Sequence, residues 1–263
     1  YLLPWLLVFR PKAKFWIKYA GNWTQKYPPL GYAFQRWFLT RNFLKCKVTV
    51  NGHWRGQATH ILSFENPCMT EQEIYEGRKV VHSKDYGGIL DFVFVGHLNE
   101  AKGVGRILET LEQLKEKPRI GMLHLIGDGS ERRLFEKLAK EVEIQCKFYG
   151  FLPKDEVNKM LSKSHVLLLP SESEGFPKVV AEGSNFGCIP IISDISCISQ
   201  YINNGGNGFL MKTLDVKGLR NCIENLLSLN SSDCKKIAIA ANRNAEKFTY
   251  ESYSRRLLNE ILI

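Results

Sequence analysis

The chain has 263 residues, 44% hydrophobic and 24% charged, which is enough for one or two cored domains and excludes a disordered or low-complexity chain. Its charge is uneven: residues 1–90 carry 13 Lys/Arg against 5 Asp/Glu, net +8, whereas the remainder carries 23 against 22, net +1. A basic half beside a neutral half points to an anionic neighbour, with membrane headgroups or a phosphorylated lipid expected and nucleic acid not.

The opening run Tyr1-Leu2-Leu3-Pro4-Trp5-Leu6-Leu7-Val8-Phe9 ends at Arg10. It is too short for the roughly 20 apolar residues of a spanning helix, and it lacks a basic leader and cleavage site. A buried helix is expected there, and the absent first methionine reads as a fragment. Strands are expected over 14–19 and 47–50, with a helix over 32–43 between them. Phe34, Trp37 and Phe38 fall at helical spacing and are assigned to the core. Asn66-Pro67-Cys68-Met69-Thr70 reads as a turn into a linker, with a domain boundary near residue 88, beside Gly87-Gly88.

From residue 91 strands alternate with helices. Asp91 to Gly96 is a buried strand. Val104, Ile107, Leu108, Leu111 and Leu114 then mark one face of a helix that stops before Pro118. Further strands are expected over 120–126, 146–151, 165–169 and 189–192. Between them lie a helix N-capped by Ser130, a short helix opened by Pro153, and a helix after Pro177 that Gly187 ends. Val216, Leu219, Ile223, Leu226 and Leu227 mark another helix. Residues 232–263 read as helical, with Tyr253, Leu257, Leu258 and Ile261 on one stripe. Such alternation means an α/β fold with a parallel sheet covered on both faces. Ligands in these sheets sit beyond the carboxyl ends of the strands, so the chemistry is sought there.

The cysteines Cys46, Cys68, Cys146, Cys188, Cys197, Cys222 and Cys234 are odd in number and scattered, without a Cys-x-x-Cys pair. That pattern fits reduced thiols in a cytosolic protein. The histidines are equally dispersed, so no metal site is expected. Gly127-x-Gly129 lacks the third glycine of a dinucleotide fingerprint, because Arg132 stands there. There is no P-loop, no Asp-x-Asp pair and no Gly-x-Ser-x-Gly elbow.

The informative stretch runs from Pro170 through Glu174-Gly175-Phe176-Pro177-Lys178-Val179 to Glu182-Gly183. Leu169 ends a strand and Pro177 suits a first helical turn, so Glu174 lies in a strand-to-helix loop. A helix start offers unpaired N–H groups and partial positive charge to phosphate, and Gly175 lets a ligand approach the backbone. Glu174 and Glu182 can each accept hydrogen bonds from hydroxyls. On spacing alone, a loop glutamate near the helix dipole and an ordinary solvent-facing Glu182 explain the pair better.

Glu174 and Glu182, with seven residues between them, resemble the Glu-x7-Glu signature of the GT-B glycosyltransferase family that includes sucrose synthases and bacterial mannosyl- and glucosyltransferases. Phe94-Val95-Gly96-His97-Leu98 with Lys102-Gly103, Leu125-Ile126-Gly127-Asp128-Gly129, Phe148 to Leu152, Gly187 to Ile192 and Asn207 to Leu210 follow in that family's order. The likeness is dense over 90–248 and looser over 14–70. It implies two Rossmann-like domains of GT-B type, the amino-terminal one truncated: an acceptor-side part over 1–88 and a donor-binding domain over 89–263 whose last helix crosses back.

The resemblance further implies a retaining, hexosyltransferase-type reaction from a UDP-sugar or GDP-sugar to a glycan or lipid-linked acceptor. Cell-envelope polysaccharide or glycolipid synthesis is the expected setting. The site is expected in the cytoplasm or at the inner membrane face, with neither cofactor nor essential metal. Lys102 would contact the diphosphate, Glu174 the transferred sugar and Glu182 the ribose, with Glu174 and Lys102 as the catalytic pair. Phe151 and Leu152 would meet the base through their backbone. Gly96, His97, Gly127, Gly129, Gly175, Phe176, Pro177, Lys178 and Val179 would complete the donor site. His97 stands where the family has arginine, so a hydrogen bond rather than a full charge is expected there. Two rival readings are a non-catalytic nucleotide-sugar-binding module, which would bind donor without turnover, and a GT-B sugar-nucleotide epimerase, which would consume donor without acceptor.

Overall fold

The computed structural model describes residues 15–114 and 119–262; the opening apolar run and the helix stop at Pro118 lie outside the described residues. In chain order the elements are β1 (Trp16–Tyr19), α1 (Leu30–Thr40), β2 (Lys47–Val50), β3 (Ile61–Ser63), α2 (Glu71–Ser83), β4 (Leu90–Val95), α3 (Val104–Gln113), β5 (Ile120–Ile126), α4 (Arg132–Leu138), β6 (Cys146–Gly150), α5 (Lys154–Lys163), β7 (Val166–Leu169), α6 (Lys178–Asn185), β8 (Ile189–Ser193), β9 (Phe209–Met211), α7 (Val216–Leu227), α8 (Ser231–Ala245) and α9 (Tyr250–Leu257).

Two parallel sheets result. The smaller has the order β1-β2-β3, and the larger has the order β6-β5-β4-β7-β8-β9. In the larger sheet the chain leaves β4 toward β5 and β6, then returns to β4's other side for β7, β8 and β9. Right-handed crossovers in opposite directions place helices on both faces. Accordingly α3 packs on α4 and α7, while α2, α6 and α8 pack together. Every residue of β7 and β8 is buried, as their unbroken apolar runs require. The expected face of α3 is buried at Val104, Ile107, Leu108 and Leu111, and Gly187 ends α6 with φ 78.

Several expectations are corrected. The linker expected after Thr70 is the helix α2, started by a capping box: the Thr70 side chain accepts from Glu73 N, and Glu73 reaches back to Thr70 N at 2.8 Å. This helix sides with the larger sheet, whose core takes in Cys68, Met69, Ile74, Val81 and Tyr86. The core of the smaller sheet holds, among the described residues, Tyr19, Leu39, Val48, Val50 and Ile61 as buried apolar residues. Ser130 does not cap α4; Glu131 occupies that position, and its carboxylate accepts from Glu100 N at 2.7 Å. The spacing of Phe34, Trp37 and Phe38 is helical, yet Leu39 is the buried residue of α1 and Phe34 and Trp37 are exposed. The aromatic rings pack on one another instead, Trp37 with Phe43 at 5.5 Å and Phe34 with Trp37 at 5.7 Å. The helical stretch expected over 232–263 is broken at Phe248–Thr249, between α8 and α9.

Two stretches of chain join the sheets, and they run together. Cys68 N donates to Phe248 O at 2.9 Å, and Tyr250 N donates to Met69 O at 2.8 Å. Beyond them α9 returns to the smaller sheet. Arg256 pairs with Glu65 at 2.6 Å and donates to Ser63 O at 2.8 Å, and the Lys18 ammonium lies 4.8 Å from the Tyr253 ring centre. All seven cysteines are free. Among the described residues, no helix is long and apolar enough to cross a membrane.

Candidate functional site

The crevice lies where the strand order reverses, between the carboxyl ends of β4 and β7. After β4 the chain turns through Gly96, His97 and Leu98. Leu98 is fully buried, and its N–H donates to Asp128 O at 3.0 Å. Asn99 then caps a short 3-10 turn by accepting from Lys102 N at 2.9 Å. That turn fixes the Lys102 backbone and sends its side chain across the crevice to the loop after β7. There Lys102 Nζ lies 2.5 Å from Glu174 Oε1, with side-chain exposures of 29% and 13%. Arg106 holds the same loop from α3 by donating to Pro170 O at 2.6 Å.

Behind this pair α6 begins. Pro177 is its N-cap and no side chain caps it, so the first N–H groups of the helix remain open to a ligand. Phe176 is buried, stacked on Phe248 with centroids 4.4 Å apart. Lys178 is exposed and Val179 half-buried. Glu182 follows Lys178 by four residues and so shares its face of α6. Its carboxylate makes no hydrogen bond or ion pair with the described residues. Burial raises its pKa above the ordinary 4.5, against the pull of Lys154 and Lys178 and with a further push from Glu73.

Around Glu182 stands a group the sequence reading missed. Glu73 receives Lys154 Nζ at 2.7 Å and Asn158 Nδ2 at 3.1 Å, and Lys154 also donates to Cys68 O at 2.9 Å. Burial works against ionisation of Glu73, but the bonds from Lys154, the Thr70 N–H and Asn158 outweigh it and hold its carboxyl below the usual value. Lys154 opens α5 just after Phe151 and Leu152, so this loop and Glu182 are neighbours through Lys154. Phe151 is exposed and Leu152 half-buried. The capping box at Thr70 was the available signal for Glu73; nothing local announces Lys154.

His97 is exposed at the crevice mouth. Gly127 and Gly129 each meet the turn after β4 closely. A Cβ on Gly127, at φ +126, would lie 1.9 Å from Gly96 O, and one on Gly129 would lie 2.2 Å from Leu98 O. Both therefore let the loop after β5 carry the 96–98 turn on its back. The structure thus brings Lys102, Glu174 and Gly175 together and places Glu182 beside the 151–154 loop on the same helix. A 640 Å³ cavity between β9 and α7, lined by Lys212, Asp215 and Asn221 among others, shares none of these residues. Among the described residues no group of His, Cys, Asp or Glu is placed to hold a metal ion.

The family of glycosyl transferases group 1 matches residues 83–245, more than half of the chain. The chain belongs to that family. This group 1 chain is 33% identical over 152 residues to an uncharacterized glycosyltransferase of Haemophilus influenzae, covering 54% of this chain and 42% of that one. It is 27% identical over 182 residues to the putative colanic acid biosynthesis glycosyltransferase WcaL of Escherichia coli, covering 66% and 44%. It therefore spans less than half the length of these relatives. Among solved structures, a Staphylococcus aureus TarM variant in complex with Fondaparinux, alpha-GlcNAc-glycerol and UDP superposes with a TM-score of 0.74 at 17% identity, covering 98% of this chain and 53% of that one. HepE of Anabaena in complex with UDP-glucose gives 0.74 at 16% identity, covering 98% and 74%. The group 1 chain thus has the GT-B fold, with the expected parallel α/β halves.

Proposed function

We propose that this chain carries the donor site of a retaining glycosyltransferase, which moves a sugar from a nucleoside diphosphate sugar to an acceptor hydroxyl in polysaccharide or glycolipid synthesis. The observation that carries the proposal is the Lys102–Glu174 pair at the open head of α6. As the bond from sugar to diphosphate breaks, negative charge builds on the leaving phosphate. Lys102 and the first N–H groups of α6 stabilise that charge most strongly in the transition state. Glu174 accepts hydrogen bonds from the transferred sugar and offsets positive charge at its anomeric carbon. Glu182, half-buried and without a hydrogen-bonded partner, takes the ribose hydroxyls, and the backbone at Phe151 and Leu152 meets the base. His97 adds a hydrogen bond to the phosphate.

UDP and UDP-glucose, present in the TarM and HepE structures, support a UDP-sugar as the first donor to try. Colanic acid and amylovoran relatives support an exopolysaccharide setting. A peripheral membrane contact is supported by the net charge of +8 on residues 1–90 and by the exposed Phe34, Trp37 and Phe43 beside Arg41 and Lys45.

The test is a thermal-shift screen of UDP, GDP, ADP and their sugars. A ligand at about 100 times its dissociation constant adds about 2.7 kcal/mol of stability. Stabilisation by one nucleotide series is expected, and no shift across the panel refutes the proposal. Proton NMR of the transferred sugar's anomeric centre then decides between retention and inversion.

A further inference from the structure

The carbonyl of Gly175, in the loop that carries Glu174, is held from the far side of the sheet end. Ser196 Oγ donates to it at 2.9 Å and Cys197 Sγ at 3.4 Å. Both residues lie just after β8, in a segment that continues through a 3-10 turn, Ile198–Gln200. Ser196 takes φ 54, a left-handed conformation that costs a non-glycine residue energy. The other side of this segment is fastened to the smaller sheet. His53 N donates to Gln200 Oε1 at 2.7 Å, and Gln200 Nε2 donates back to His53 O at 2.9 Å. Gly52, next to His53 and at φ +78, sits so close that a Cβ would lie 2.4 Å from Cys197 Cβ. Tyr201 closes the segment with its ring 5.0 Å from Phe176, the residue after Gly175.

We infer that residues 194–201 are a positioning segment that sets the Glu174–Phe176 loop according to where the Gly52–His53 turn of the smaller sheet stands. Gln200 takes the position of that turn, and Ser196 passes it to the Gly175 carbonyl. Neither residue touches the Lys102–Glu174 pair, so both are positioning residues. The two hydrogen bonds of the Gln200 amide fix distance and direction together, and the packed Gly52–Cys197 contact leaves no slack between them. Movement of the smaller sheet is thereby transmitted to the orientation of Glu174 while the 96–103 loop and Lys102 stay in place. The inference rests on the proposed sugar-holding role of Glu174.

Two variants test it. Ser196→Gly keeps the left-handed backbone freely and removes the hydroxyl together with its Cβ. Gln200→Ala cuts the link to His53 at a distance from the loop. Amide hydrogen exchange over residues 172–180 is measured together with affinities for UDP and UDP-glucose. In each variant, exchange over 172–180 is expected to rise about threefold to tenfold, the loss of about one hydrogen bond's net stabilisation. The advantage of UDP-glucose over UDP is expected to shrink by a similar factor, with UDP itself unchanged. Gln200→Glu, which keeps the acceptor for His53 N, restores part of both. Unchanged exchange over 172–180 in both folded variants overturns the inference. If the wild type binds no nucleotide, the donor-site reading fails, and the exchange result still decides the coupling.

Discussion

Lys102→Ala is the substitution with the most specific consequence. In the free protein the Lys102 ammonium spends its charge on Glu174, 2.5 Å away. In the donor complex the diphosphate competes for it. A hydrogen bond to a charged group contributes about 1.5–3 kcal/mol, so losing Lys102 should weaken nucleoside diphosphate binding about 10- to 150-fold. A nucleoside monophosphate, which does not reach as far, should lose much less. Glu174→Gln gives the opposite sign for the bare nucleotide. Breaking the pair, whose side chains are only 29% and 13% exposed, frees Lys102 from its competitor, so UDP should bind more tightly. Isothermal titration of UDP and UMP into wild type, both single variants and the double variant completes a coupling cycle. The reasoning is refuted if Lys102→Ala weakens UDP and UMP equally, or if Glu174→Gln weakens UDP.

Four further outcomes are expected. Burial holds the Glu182 pKa above its ordinary value, so its contribution to stability is full below the unfolded value and is lost as pH rises through the folded one. Glu182→Gln should therefore melt higher than wild type at pH 7 but not at pH 4, and should erase any preference for UDP over its 2′-deoxy form in titrations. Gly127→Ala forces a Cβ against Gly96 O, and strain with overlap of this kind costs about 2–5 kcal/mol, read as a lower melting temperature together with lost nucleotide binding. Lys84 is buried with its ammonium donating to Leu161 O, Ser164 O and Phe186 O, at the ends of α5 and α6. Lys84→Met should cost about 3 kcal/mol, or about 6–12 °C of melting temperature, because buried acceptors left unsatisfied cost about 1–3 kcal/mol each. Vesicles containing anionic lipid should sediment the protein at low salt, and Phe34→Ser with Trp37→Ser should weaken that binding; equal sedimentation with neutral vesicles would count against a charge-led contact.

The larger sheet was legible because its strands are short unbroken apolar runs and its helices carry a regular buried face, as in α3. The Glu174 loop was legible because a strand end, a glycine and Pro177 fall in sequence. What escaped has physical causes. β3 is three residues long and offers no period to detect. α2 has a low apolar content, so only its capping box betrayed it. The exposed aromatic face of α1 shows that helical spacing identifies a helix but not the direction in which its apolar face points. That Gly127 and Gly129 back the 96–98 turn was not legible, because the contact joins two loops far apart in sequence. The Glu73–Lys154 pair arises only when α2 and α5 are packed, so no local pattern could reveal it.

The hydrogen bonds between Cys68–Met69 and Phe248–Tyr250 mean that the chain enters and leaves the six-stranded half at one spot. A unit whose two ends touch can be lifted out of one polypeptide and set into another without stretching either. Exchanging whole halves is then topologically simple, and joining those ends with a short loop should yield a circularly rearranged version that still folds.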